Sequence, residues 1–98
     1  MIIRIVKMTF IPEKTDDFLR IFNSSKTLIR NFEGCSHLEL LNDVNDPSVF
    51  FTYSYWDNDQ CLDNYRNSEL FAGVWSQTKA LFSAKPSAWS LNRHTEVK

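Results

Sequence analysis

Residues 48–56 read SVFFTYSYW, and the fold follows from that stretch. Aromatic and β-branched residues without Gly or Pro favour a strand. Successive strand side chains point to opposite faces. Val49, Phe51, Tyr53 and Tyr55 therefore share one side, and Phe50, Thr52, Ser54 and Trp56 the other. Both sides are rich in apolar surface, so both need cover. Just upstream, Asp43–Val44–Asn45–Asp46–Pro47 carries loop chemistry. Before it, residues 35–42 (CSHLELLN) read as a second strand, and the pair predicts an antiparallel hairpin. Residues 2–11 (IIRIVKMTFI) predict another strand, with Ile3, Ile5 and Ile11 on one face and Ile2, Val6, Met8 and Phe10 on the other. Pro12, which cannot donate a backbone hydrogen bond, stops it.

Between these strands the period changes. In residues 13–32, Phe18, Ile21, Phe22, Ser25, Leu28, Ile29 and Phe32 fall on one helical stripe. Glu13, Asp16 and Asp17 crowd the start, where the helix dipole favours acids. Gly34 is placed to cap the end. After the hairpin, Asp57 or Asn58 caps a short helix over about residues 58–67. Ser68 caps another, with Phe71, Val74, Trp75, Thr78, Leu81 and Phe82 on one face, and Pro86 ends it. Residues 87–93 (SAWSLNR) predict the last strand, followed by a loose polar tail over 94–98. The order is β-α-β-β-α-β, with the second α broken at Ser68. This is an α+β chain of the ferredoxin-like type, an antiparallel sheet with helices on one face. The uncovered face would exceed the apolar patch that a soluble monomer shows. A homodimer with two sheets face to face is the expected remedy.

Length and composition agree. Ninety-eight residues make one domain, 1–98. A chain of this size buries only about 60–65% of its unfolded surface. Fourteen per cent aromatics excludes disorder. A net charge of −1 argues against nucleic acid or an anionic membrane as the main partner. No apolar run is long enough to span a bilayer. Arg4 and Lys7 interrupt the first residues too soon for a signal peptide. Cys35 and Cys61 are too few for a disulfide framework, so a cytoplasmic domain with reduced thiols is expected.

Four segments together resemble a known family: Phe10–Ile11–Pro12–Glu13, Phe32–Glu33–Gly34–Cys35, Phe51–Thr52–Tyr53–Ser54–Tyr55–Trp56, and Asn64–Tyr65–Arg66–Asn67–Ser68–Glu69–Leu70–Phe71. The chain is similar along nearly its whole length to the antibiotic biosynthesis monooxygenase domain of the dimeric α+β barrel superfamily. The resemblance implies two ferredoxin-like subunits sharing a barrel, each with a pocket between sheet and helices. It implies cofactor-independent oxygenation of a phenolic, quinol or other enolisable small molecule by O2. A non-catalytic small-molecule-binding or stress-response barrel, or a non-redox isomerase, could use the same pocket. The haem-degrading branch of the family carries an Asn–Trp–His set. Its Trp and His positions fall on Tyr65 and Trp75, and its Asn position near Val6 or Lys7, so none of the three matches. Quinol-oxidising relatives often carry His where this chain has Tyr65.

Cofactor-free oxygenation needs an apolar pocket, a base and a donor for developing oxyanions. Tyr65 is the candidate donor to a substrate oxygen; otherwise it is a core tyrosine with its hydroxyl at the rim. His37 has a side chain suited to a general base, or it sits at the surface or the dimer interface. Trp56, Trp75, Phe71 and Tyr53 are candidate apolar walls, with simple core packing as the alternative. Alternation separates Tyr53 and Tyr55 from Trp56, so they cannot all line one cavity. The pairs His37–Glu39 and His94–Glu96 are too sparse for a metal centre. Arg4 on the first strand needs a carboxylate partner or an anionic ligand if it is buried. Arg66 and Lys79 read as solvated helix residues. Cys61 lacks a nearby His or a second Cys at motif spacing, so nucleophilic catalysis is not expected of it. No phosphate loop, dinucleotide fingerprint or nucleophile elbow is present.

Overall fold

A computed structural model describes residues 1–98. Its elements are β1 (Ile2–Thr9), a 3-10 turn (Pro12–Lys14), α1 (Thr15–Arg30), β2 (Cys35–Asn42), β3 (Val49–Trp56), α2 (Asp59–Arg66), α3 (Glu69–Lys79) and β4 (Ser87–Leu91). The strands form one sheet in the order β2-β3-β1-β4, with every neighbouring pair antiparallel. This is the expected ferredoxin-like α+β fold. No helix is long and apolar enough to cross a membrane.

Strand register sorts the side chains. Ile3 pairs with Tyr55 and Leu91, and Ile5 with Tyr53 and Trp89. Arg4 pairs with Ser54 and Ser90, and Val6 with Thr52 and Ala88. Directly paired residues share a face. The first set lies on the open face and the second beneath the helices. The core under the helices is largely phenylalanine. Met8, Phe10, Phe18, Phe22 and Phe50 form one buried cluster. Phe10, fully buried, stacks on Phe18 with ring centroids 4.2 Å apart. Full burial of one such side chain stabilises by about 1.5–3 kcal/mol. Cys35, Trp56 and Leu62 form a second cluster.

Several boundaries differ from expectation. The first strand ends at Thr9, not at residue 11, because the chain turns to meet the end of α3. Ile11 N–H donates to Leu81 C=O, Ser83 N–H to Thr9 C=O, and Phe10 forms an isolated bridge with Phe82. α3 ends at Lys79, and beyond it the half-buried Phe82 packs against Phe10 with ring centroids 5.3 Å apart. α1 spans Thr15–Arg30, leaving Phe32 beyond it, and Leu28, at the edge of the stripe, is 60% exposed. Asn31, not Gly34, is the C-cap. Gly34 turns the chain into β2 with φ 89°, and a Cβ there would lie 2.4 Å from Cys61 Cβ. Only glycine meets both demands without strain. Asn58 and Ser68 cap α2 and α3 by accepting from Cys61 N–H and Phe71 N–H. The last strand stops at Leu91, two residues early.

Candidate functional site

The two core clusters do not meet completely, and a half-open cavity of about 100 Å³ lies between them, under the helices. The sheet supplies Arg4, Val6, Met8, Leu38, Thr52, Ser54 and Trp56; the helices supply Phe18, Phe22, Leu62, Tyr65, Arg66, Phe71 and Trp75, among others. A second hollow along α1 and β2, between Lys26, Arg30, Leu38 and Glu39, is a wide groove bordered by long charged side chains. It is less suited to exclude water.

Aromatic rings build one wall of the cavity in series. Trp56 is 1% exposed and donates from Nε1 to Ser54 Oγ at 3.0 Å, so its one polar atom is satisfied. Its ring stacks on Tyr65 at 4.9 Å. Phe32 meets the Trp56 and Tyr65 rings edge-on. Tyr65 meets the edge of Phe71 at 5.2 Å, and Phe71 stacks on Trp75 at 5.7 Å. Sequence and helix geometry account for this placement. Tyr65 sits three residues past Leu62, which anchors α2, and Phe71 and Trp75 are i and i+4 on α3. The cavity therefore brings together Tyr65, Trp56, Trp75 and Phe71.

Tyr65 makes no side-chain hydrogen bond to the protein, yet no fully buried side-chain oxygen lacks a partner, so its hydroxyl reaches open space. Burial, with a smaller push from Cys35, raises its phenol to about 12. The group is a protonated donor at neutral pH. Arg4 donates from Nη1 to Ser90 Oγ at 2.9 Å and forms no ion pair. Desolvation, then repulsion from Arg66, lowers its pKa. Of the two partners expected for a buried Arg4, a carboxylate or an anionic ligand, the protein supplies no carboxylate. Arg66, read from sequence as solvated, also borders the cavity; the signal for it was its i,i+4 relation to the buried Leu62.

The structure places His37 and Tyr53 elsewhere. A bulge between Cys35 and His37 lets both β2 residues pair with successive residues of β3, Cys35 with Trp56 and His37 with Tyr55. Cys35 goes to the helix side and His37 to the open face, although two residues apart they would otherwise share a side. There His37 Nε2 lies 3.0 Å from Glu39 Oε1, and its ring packs 4.7 Å from Tyr55. The Tyr53 and Tyr55 hydroxyls are 3.4 Å apart. That hydrogen bond, more than burial, pushes the Tyr53 phenol up. Neither His37 nor Tyr53 borders the cavity.

This architecture is shared. A crystal structure described as an antibiotic biosynthesis monooxygenase superposes with a TM-score of 0.91 at 20% identity, covering 97% of this chain and 100% of the other. PA3566 from Pseudomonas aeruginosa gives 0.85 at 22% identity, covering 96% and 94%. A conserved protein from Methanosarcina mazei Go1 gives 0.88 at 19%, covering 95% and 93%. At these identities the likeness shows the fold alone. No curated protein matches the sequence. The family model for antibiotic biosynthesis monooxygenase matches residues 1–74, which takes in β1 through most of α3 and nearly every residue of the aromatic wall. The chain belongs to the antibiotic biosynthesis monooxygenase family.

Proposed function

We propose that this chain is a cofactor-independent monooxygenase acting on a phenolic, quinol or other enolisable small molecule, and that it works as a cytoplasmic homodimer. The observation that carries the reading is a half-open, largely apolar aromatic cavity with a single protonated phenol, Tyr65, in its lining. An electron-rich ring would lie along the Trp56–Tyr65–Phe71–Trp75 wall. Once deprotonated, the substrate passes one electron to O2, and the radical pair recombines to a peroxide. Loss of water then turns a substrate CH2 into C=O, so that one oxygen atom enters the product and the other leaves as water. The substrate supplies all the electrons, and no external reductant is needed. Tyr65 donates a hydrogen bond to the substrate oxygen as negative charge moves onto it. His37 is set apart from this step by the thickness of the sheet and is better placed at the dimer interface.

The homodimer is supported by the open face, where Leu41, Trp89 and Leu91 remain exposed and Tyr53, Tyr55 and His37 cluster around them. Oxygen uptake with a panel of hydroquinones and anthrones tests the reaction. Wild type should turn over at least one member, and Tyr65→Phe should lower kcat by about a hundredfold to a thousandfold, as expected for losing one oxyanion donor. Stoichiometric O2 uptake by no member of the panel would remove the redox claim. A bound but unreacted ligand would then favour a binding protein, and product formed without O2 an isomerase.

A further inference from the structure

The cavity's charged lining residues are Arg4 and Arg66, with no acid among them. Arg4 projects from the middle of the sheet and has one neutral acceptor, the Ser90 hydroxyl, for a guanidinium with five N–H donors. Arg66 has one acid in reach, Asp63, at 4.0 Å, and that carboxylate is 58% exposed and does not border the cavity. Arg4, half-buried, loses solvation and is repelled by Arg66, whose own side chain remains partly in water at the cavity mouth. Such an arrangement is costly in the empty protein and is relieved when an anion enters between them. The same hollow contains no carboxylate and no histidine that could take a proton from a substrate. The only other titratable group in its lining is Tyr65, held protonated.

From this we infer that Arg4 and Arg66 form an anion seat, and that the cavity binds its ring ligand as the oxyanion, a phenolate or enolate whose charged oxygen lies between the two guanidinium groups. This rests on reading the cavity as a small-molecule site and names the ionisation state that the site selects. Guanidinium-to-oxyanion hydrogen bonds are charge-assisted and roughly twice as strong as neutral ones, and stronger still away from water. Ligand ionisation is then driven by the bound anion's stability. The proton leaves to solvent at the cavity mouth, and no protein base is required. In the oxygenation proposed above, the seat would hold the species that gives up the first electron. Its energetic effect is to lower the ligand's pKa on binding.

The probe is 4-nitrophenol. It has one ring to suit the small cavity, its phenolate is yellow, its pKa in water is near neutral, and it is not a quinol. Visible absorbance is titrated against pH with protein in excess, and its affinity is measured on both sides of its pKa. Wild type should hold the phenolate at least about tenfold more tightly than the phenol, which lowers the bound probe's pKa by about one unit or more. Arg4→Gln and Arg66→Gln should each reduce that preference severalfold, and the double variant should abolish it while the neutral phenol still binds. Arg66 lies on an exposed helix end, so R66Q reports even if R4Q disturbs the sheet. A bound probe with an unshifted or raised pKa would overturn the anion seat and leave the cavity as a binding site. A preference that survives in the double variant would overturn it too. Failure of the probe to bind in either form would remove both the seat and the cavity reading. Oxygen uptake is not part of the readout, so loss of the redox claim alone would leave this result intact.

Discussion

The two faces of the sheet are both rich in aromatic side chains but use them differently. Beneath the helices the core rings Phe10, Phe18, Phe22 and Phe50 are bare hydrocarbon, and of the polar rings that border the cavity there, Trp56, Tyr65 and Trp75, Trp56 has its N–H satisfied by Ser54. On the open face all the rings but Phe51 carry polar tips, Tyr53, Tyr55, His37 and Trp89, with a Tyr–Tyr hydrogen bond and a His–Glu pair among them. Rings with one apolar side and one wet end suit surfaces that are buried only on association. Bare rings suit a permanent core. One alternating strand, β3, thus closes the cavity with its even-numbered residues and fills the open face with its odd-numbered ones. Charge follows the same division. The cavity lining holds two arginines and no acid, whereas the open face carries the His37–Glu39 pair.

The largest effect is expected at Phe10. Phe10→Ala should cost about 3–5 kcal/mol of folding free energy, read by denaturant unfolding, because it empties the centre of the phenylalanine cluster. A loss under about 1 kcal/mol would mean that the covered side is not the core that holds the subunit together. On the open face, Tyr55→Asp should weaken self-association by about 2–4 kcal/mol in sedimentation equilibrium while the circular dichroism stays native. A wild type that sediments as a monomer at micromolar concentration would end the assignment of that face.

Tyr65 sharpens the contrast through pH. Its folded-state pKa of about 12 lies above the ordinary value of 10. The native state therefore holds the proton more tightly than the unfolded chain. The associated stability is fully present below about pH 10 and is lost as pH rises toward 12. Over that window wild type should lose about 2–3 kcal/mol more than Tyr65→Phe, by unfolding measurements at fixed pH. Equal slopes for the two proteins would mean that the Tyr65 ring is solvated. The smallest effect is expected at Ser54→Ala, which strands the buried Trp56 N–H and should cost about 1–2 kcal/mol. A neutral result would place water beside that indole.

Much of this was legible in residue order. The alternation in residues 48–56 separates Tyr53 from Trp56, and the structure keeps them apart. Helical spacing places Phe71 and Trp75 on one face of α3, and both border the cavity. The side on which His37 emerges was not legible. It depends on the bulge at Cys35/His37, and a one-residue slip reverses every side chain beyond it without any change in composition. The role of Gly34 was hidden for a related reason. Its demand comes from Cys61, twenty-seven positions further along and brought close only by the fold. Arg4 was recognisable as a charge needing a partner. That the partner would be a serine hydroxyl and a second arginine's repulsion emerges only when β4 and α2 are in place.

The division of labour between the faces can be tested in a single set of spectra. The chain has three tryptophans, of which Trp56 and Trp75 border the cavity and Trp89, 45% exposed, lies on the open face. Their indole N–H signals can be followed by NMR in nitrogen-15-labelled protein, first on adding 4-nitrophenol and then on serial dilution. The expected result is that the ligand moves Trp56 and Trp75 and leaves Trp89 still, while dilution moves Trp89 and leaves the other two. A Trp89 signal that follows the ligand, with Trp56 and Trp75 unmoved, would contradict the account.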